Sequence, residues 1–300
     1  MGDAKPGVWR RLTGTPRGRV LLRIAFYGTA GLLALPYSFS EVMLRPPRQP
    51  PSRRQAAYDE AWVSSEGLRL RAWVRRGGTP AKAAVVVAHG LGDSLESYTE
   101  VAETLGRRGH TVLLLDLRAH GGSEGRFTTL GGREREDVRA AMAHLVAAGL
   151  APNGLLLMGT SMGSVAVLRA AADRTDVRGV VAEAPYDNYR ESMTHHAWLY
   201  YRIPRWVPLI PLSIAMAQWR AGFDADEVDA VAAARRIKAP LLAIVDGADE
   251  RMPEPVVRRV FDAHPGPKAF WVAPGADHAG AILSPGYWKT VTGFLDQNGL

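Results

Sequence analysis

The chain has 300 residues, 47% hydrophobic and 22% charged, with 31 Gly, 20 Pro and no Cys. That is enough to bury a full core in one large domain with an appendage, and it excludes disulfides, cysteine-based zinc sites and a cysteine nucleophile. The formal charge of +7 is uneven: ten of the 37 Lys and Arg lie in residues 1–54 against only Asp3 and Glu41. The remainder is close to neutral, so no basic stripe covers the fold and nucleic acid is excluded as the partner.

Residues 1–19 form a basic tail carrying Lys5, Arg10, Arg11, Arg17 and Arg19, and residues 20–40 are a run of mostly apolar residues. As a helix, Val20–Ser40 spans about 30 Å, enough to cross a bilayer core, with Arg23 near one end able to snorkel to the headgroups. Three readings compete: an uncut signal anchor, a cleaved signal peptide and a surface helix. The anchor is preferred because no A-x-A cleavage site follows the apolar run. The basic residues ahead of it favour a cytoplasmic N-terminus, which puts the domain on the extracytoplasmic side of the cell membrane. Residues 41–55 read as a Pro-rich linker, and residues 56–300 as the globular domain.

Ala61–Ser64 and Leu68–Val74 flank Glu66-Gly67 and predict a hairpin. Ala83–Ala88 is a continuous apolar strand leading into His89-Gly90-Leu91-Gly92. A helix over Tyr98–Arg107, a strand over Thr111–Asp116, a helix over Arg133–Ala148 and strands at Leu155 and Arg178–Ala182 follow. From 187 to 238 the pattern changes to an aromatic, Pro-interrupted stretch with Trp198, Trp206 and Trp219, which predicts a helical lid insertion. The strands Leu241–Val245 and Ala269–Val272 resume the sheet, and a helix over Tyr287–Leu295 closes the chain. Strands alternating with helices predict an α/β fold, with a mostly parallel sheet covered on both faces.

The stretch that organises the rest is Gly159-x-Ser161-x-Gly163, set between the apolar run Leu155–Met158 and the Ala-rich segment Val165–Ala172. A serine pinned at a sharp strand-to-helix turn projects its hydroxyl above the sheet, beneath the free N–H groups of the helix N-terminus. That is the position of a nucleophile whose intermediate is anionic. In a parallel sheet, ligands gather at the carboxyl ends of the strands. The late strands are followed there by Asp246-Gly247-Ala248-Asp249 and by Asp277-His278. The order Ser161, Asp249, His278 fits a triad in which His278 takes the Ser161 proton and Asp249 holds the imidazole.

These landmarks, together with His89-Gly90 and Asp116-x-Arg118-x-His120-Gly121-x-Ser123, make residues 56–300 resemble the α/β-hydrolase family. The likeness extends to its membrane-anchored YfhR-like branch of serine hydrolases. The resemblance implies the α/β-hydrolase fold, with Ser161 as nucleophile, Asp249 as acid and His278 as base. It also implies an oxyanion hole built from the backbone N–H groups of Met162 and Leu91. The acid loop departs from the family pattern, with Asp246 where a Gly is usual, so Glu250, Glu183 and Asp187 stay open as rivals of Asp249. Asp249 also reads as a simple helix cap. His89 and His120 read as loop-shaping groups, and His195 and His196 as polar groups of the lid. No metal-ligand spacing is present, and neither a metal nor another cofactor is expected.

The expected activity is hydrolysis of a carboxylic ester or thioester through an acyl-enzyme, with a hydrophobic acyl group suggested by the aromatic lid. Its rivals are a peptidase of the same fold and a membrane-tethered interaction protein with a vestigial triad.

Overall fold

The computed structural model describes residues 15–78 and 82–300; Lys5, Arg10 and Arg11 of the expected basic tail lie outside the described residues. The chain opens with helix α1 (Pro16–Leu44), capped by the Thr15 hydroxyl accepting from Gly18 N–H at 3.1 Å. The hairpin forms from β1 (Asp59–Ser65) and β2 (Leu68–Arg75), with Glu66 and Gly67 supplying the two positive-φ turn positions.

Then come β3 (Ala84–Ala88), α2 (Thr99–Arg107), β4 (Val112–Leu115), α3 (Glu134–Ala147), β5 (Leu155–Thr160), α4 (Met162–Ala171) and β6 (Val177–Glu183). The insertion folds as α5 (Tyr189–Tyr201), α6 (Leu209–Ala221) and the short α7 (Ala230–Ala234). The chain finishes with β7 (Leu241–Asp246), α8 (Glu254–Ala263), β8 (Lys268–Ala273) and α9 (Tyr287–Gln297).

The eight strands make one sheet in the order β1-β2-β4-β3-β5-β6-β7-β8. The β1–β2 and β2–β4 pairs are antiparallel, and every pair from β4 to β8 is parallel. The central strands are apolar on both sides because both sides are covered. In β3, Val86 and its i±2 neighbours join the core beneath α3, α4 and α8, while Val85 and Val87 join the core beneath α2 and α9. The carboxyl ends of β3, β5, β6, β7 and β8 therefore open on one edge, where the loops of interest gather.

Two features of the N-terminal region differ from the linear reading. The expected border at 40/41 falls inside α1, which runs unbroken to Leu44 despite Pro36. Its last turns are buried against the body, and Leu44 O accepts from Thr128 N–H at 2.9 Å. Residues 45–55 have no regular structure but lie strapped along the domain rather than linking two free parts. Arg48 Nε donates to Ala119 O, Gln49 Nε2 to Gly92 O, and Ser52 N–H to Glu96 Oε1 at 3.0 Å. Prolines at 46, 47, 50 and 51 remove the backbone donors a strand would need. Side chains make most of the attachments instead.

The loop after β4 is fixed by a buried ion pair. Arg118 donates through Nε and Nη2 to Asp137 on α3 at 2.9 and 2.6 Å, and its own backbone N–H adds a third bond at 3.0 Å. Removing Asp137 leaves the buried guanidinium with only the half-exposed Glu66 carboxylate, 2.8 Å from Nη1, to offset its charge. Asp137→Ala is expected to lower stability by about 3–5 kcal/mol, read as a shift of the urea midpoint at unchanged m-value.

Candidate active site

Ser161 sits between β5 and α4 with φ +54° and ψ −117°, a conformation that costs free energy for a residue with a side chain. The flanking glycines explain how the turn closes. A Cβ on Gly163 would lie 2.1 Å from Ala88 O, and one on Gly159 would lie 2.4 Å from Gly163 O. The Ser161 N–H is held by Glu183 O at 2.8 Å. Met162 follows as the first residue of α4, so its N–H has no acceptor within the helix. The Gly90 Cα presses on Ser161 from β3: a Cβ there would be 3.6 Å from the Ser161 Cβ. This brings the His89-Gly90-Leu91 loop beside the hydroxyl.

The structure brings Ser161, His278 and Asp249 together in one hydrogen-bonded line. His278 Nε2 is 2.9 Å from Ser161 Oγ, and His278 Nδ1 is 2.6 Å from Asp249 Oδ2. Asp249 Oδ1 accepts the backbone N–H groups of Arg251 and Met252 at 2.8 and 3.2 Å. Burial alone would raise the Asp249 pKa, but the hydrogen bond and charge of His278, with these amides, hold it below the ordinary carboxylate value. Gly247, next to the unusual Asp246, is required because a Cβ there would sit 2.6 Å from Ala273 O. That contact lets Ala248 N–H reach Ala276 O at 2.8 Å and locks the acid loop to the histidine loop.

The other candidates go elsewhere. Glu250 contributes its backbone oxygen to His195 Nε2, and Asp187 pairs with Arg259 at 2.7 Å. His89 is fully buried; its Nδ1 donates to Gly90 O and its Nε2 accepts from Leu117 N–H, which fixes the loop holding Leu91. Burial holds its pKa below the ordinary value, so it stays neutral. His120 Nδ1 donates to Arg118 O within the loop after β4, and His196 Nδ1 bonds Ser192 O on the insertion. Asp246, Asp249 and His278 offer ligand atoms within 4.8 Å of one another. The His278 and Asp249 atoms there are already engaged with each other or with backbone amides.

A cavity of about 470 Å³ opens beside Ser161 and His278, lined by Leu91, Met162, Met193, Ile210 and neighbouring side chains. Its wall is largely apolar, the usual character of a small-molecule site.

One pair of buried acids beside the site escaped the sequence reading as a pair. Glu183 and Asp246 end the adjacent strands β6 and β7, and their carboxyls are buried close enough for the Asp246 charge to act on Glu183. The signal was visible, since both apolar runs end on an acid, but the pairing depends on strand order. Glu183 Oε1 accepts Ala281 N–H at 3.2 Å and Asp246 Oδ2 accepts Ala279 N–H at 2.8 Å, so the pair carries the loop of His278. Burial, then the Asp246 charge, pushes the Glu183 carboxyl from the ordinary carboxylate range up to about 8; burial also pushes Asp246 up. The folded state thus keeps a proton that the unfolded chain releases. Stability from that proton is complete below about pH 4.5 and is lost as pH rises through about 8, with a slope of at most about 1.4 kcal/mol per pH unit. Glu183→Gln keeps a donor toward Asp246 with no proton to lose. It is expected to flatten the fall in stability between pH 5 and 8 (about those limits), measured by denaturant titrations across that range.

Comparison with known proteins agrees with this architecture. The family model described as "Serine aminopeptidase, S33" matches residues 79–223. The uncharacterized protein YqkD of Bacillus subtilis is 30% identical over 218 residues, 71% of each chain. The uncharacterized protein Rv2307c of Mycobacterium tuberculosis is 27% identical over 229 residues, 74% of this chain and 73% of that one. Among solved structures, the Pyrococcus furiosus esterase Pf2001 superposes with a TM-score of 0.68 at 24% identity, over 84% of this chain and 98% of that chain. Serine elbow, strand order and relatives lead to one conclusion: the chain belongs to the α/β-hydrolase superfamily.

Proposed function

We propose that the protein is a serine hydrolase that cleaves a carboxylic ester or thioester through an acyl-enzyme. The observation that carries the reading is the unbroken line Asp249–His278–Ser161, at 2.6 and 2.9 Å, ending in an apolar cavity. In this reading Ser161 Oγ attacks the acyl carbon while its proton passes to His278 Nε2. The N–H groups of Met162 and Leu91 face the oxyanion. As the bond to the leaving group breaks, His278 returns the proton to it, and water then releases the acid by the same steps. Asp249 holds the imidazole tautomer and offsets its charge in the transition state. The likeness to a structurally similar esterase supports this class of reaction.

The insertion over 187–238 serves as the lid. α1 is the one helix among the described residues that is long and apolar enough to cross a membrane. It serves as an anchor over residues 20–40, with the domain on the extracytoplasmic side. A peptidase of the same fold is the second reading, favoured by the name of the matching family model. Asp93 is the single carboxylate among the cavity's described lining residues, and its Oδ1 already accepts from Ser94 N–H and Ser97 Oγ. It is the one carboxylate among them that could hold a substrate's free amino group, through its Oδ2.

The full chain is expected to react with a fluorophosphonate probe, and Ser161→Ala and His278→Ala to abolish the reaction. Asp249→Asn, which leaves the imidazole in the wrong tautomer, is expected to lower kcat on aryl esters by about ten-thousand-fold. A folded wild-type chain that resists the probe would reject the reading. Faster turnover of aminoacyl amides than of esters would move the peptidase ahead.

A further inference from the structure

We propose that the last two turns of α1 are a wall of the acyl pocket, so that the anchoring segment also selects the acyl chain. The chains selected belong to amphiphiles resident in the same bilayer, an assignment that rests on the serine-hydrolase and anchor readings above. Phe39, Val42 and Met43 line the same cavity as Ser161 and His278. Val42 is nonetheless 62% exposed, which places it at the mouth, where the helix leaves the body. Phe39 meets the Tyr201 ring of α5 edge-on at 5.3 Å, so helix and lid close on each other at this point.

A latch holds that wall in place. Arg220 of α6 is only 6% exposed at its side chain; its Nη1 donates to Ser40 Oγ at 2.7 Å and its Nη2 pairs with Glu41. Its guanidinium also lies 4.2 Å from the Tyr37 ring centroid and 5.3 Å from that of Phe127. Arginine suits this place, since its planar head can bond and stack at once. The last turns of α1 are thus a built part of the lid, while nearly every apolar residue from Val20 to Leu35 is exposed.

The exposed surface of the insertion that closes on α1 points to the source of the acyl chain. Trp198, Trp206 and Trp219, with Tyr200 and Tyr201, stand out from α5, α6 and the turn between them, Trp206 and Trp219 at about 80% exposure. Tryptophan and tyrosine with apolar rings and polar tips settle at the headgroup level of a bilayer. From Val20 to Phe39 the helix rises about 29 Å, which matches the hydrocarbon thickness and sets the mouth at one membrane surface. An acyl chain can then slide from the bilayer along α1 to Ser161 with little of it crossing water. A water-soluble substrate gains nothing from an anchor helix in that position.

The test reconstitutes the full chain in phosphatidylcholine–phosphatidylglycerol vesicles and measures labelling of Ser161 by a long-alkyl and by an ethyl fluorophosphonate. Val42→Trp, a change at an exposed position that leaves the core untouched, is expected to lower the long-to-ethyl rate ratio about tenfold, whereas Leu33→Trp on the lipid-facing stretch keeps it within about twofold. Arg220→Met, which frees the last turns, is expected to lower the ratio as well. The long-alkyl probe premixed into the protein's own vesicles is expected to react faster than the same amount delivered on serum albumin. An unchanged ratio in Val42→Trp would overturn the wall, and equal rates from the two sources would overturn access from the bilayer. Both outcomes differ from an absence of labelling by either probe in folded wild type, which would reject the hydrolase reading itself.

Discussion

The first turn of α4 lies so close to the end of β3 that Gly163 has no room for a side chain against Ala88 O. That contact constrains the rest of the site. It presses the helix start onto the sheet, which forces Ser161 into a positive-φ bend and points its hydroxyl away from the backbone. It also sets the distance between the Met162 amide and the loop that carries Leu91. The strain at one residue is offset by ladder bonds on both sides, Ser161 N–H to Glu183 O among them. A serine on a relaxed turn would lack this fixed relation to both the sheet and the helix amides.

The acid and base loops are tied to the same sheet by a different device. Two buried carboxyls at the ends of neighbouring strands receive the amides that follow His278, and burial favours their protonated form. Charge is thereby placed asymmetrically: Asp249, fed by amides and the imidazole, stays ionised, while the Glu183–Asp246 pair retains a proton. Three acids within one layer would repel if all were charged. Separation of their ionisation states lets the acid loop and the histidine loop lie side by side.

Much of this was legible along the chain because it depends on local rules. Val85–Val87 and Leu155–Met158 are apolar on successive residues, which marks strands covered on both faces. Ser161 and Asp249 follow such strands and His278 follows the half-covered edge strand β8, so the sheet itself brings them to one edge. Asp249 rather than Glu250 meets His278, and the close approach at Gly247 that holds the acid loop there is seen only when β8 is in place. Two features could not be read in this way. The Glu183–Asp246 pair depends on β6 and β7 being neighbours. The docking of the last turns of α1 depends on Arg220, 180 positions away from its Ser40 partner. To a linear reading, residues 41–55 have the composition of a free linker, because nothing in Pro46-Pro47-Arg48-Gln49 announces the surface it lies on.

The long sequence separation of the Arg220 latch has a consequence for the order of events during synthesis. α1 leaves the ribosome ahead of the insertion, and the arginine that fixes its end emerges 180 residues later. At about 5–20 residues per second, that delay is on the order of ten to forty seconds. Throughout this time the apolar helix exists without its docking partner and is free to seat in a membrane. The cavity beside Ser161 is closed on this side only after the insertion has folded back onto α1. Assembly of the pocket is thus deferred until the insertion has been made, and no shorter nascent chain carries both of these walls.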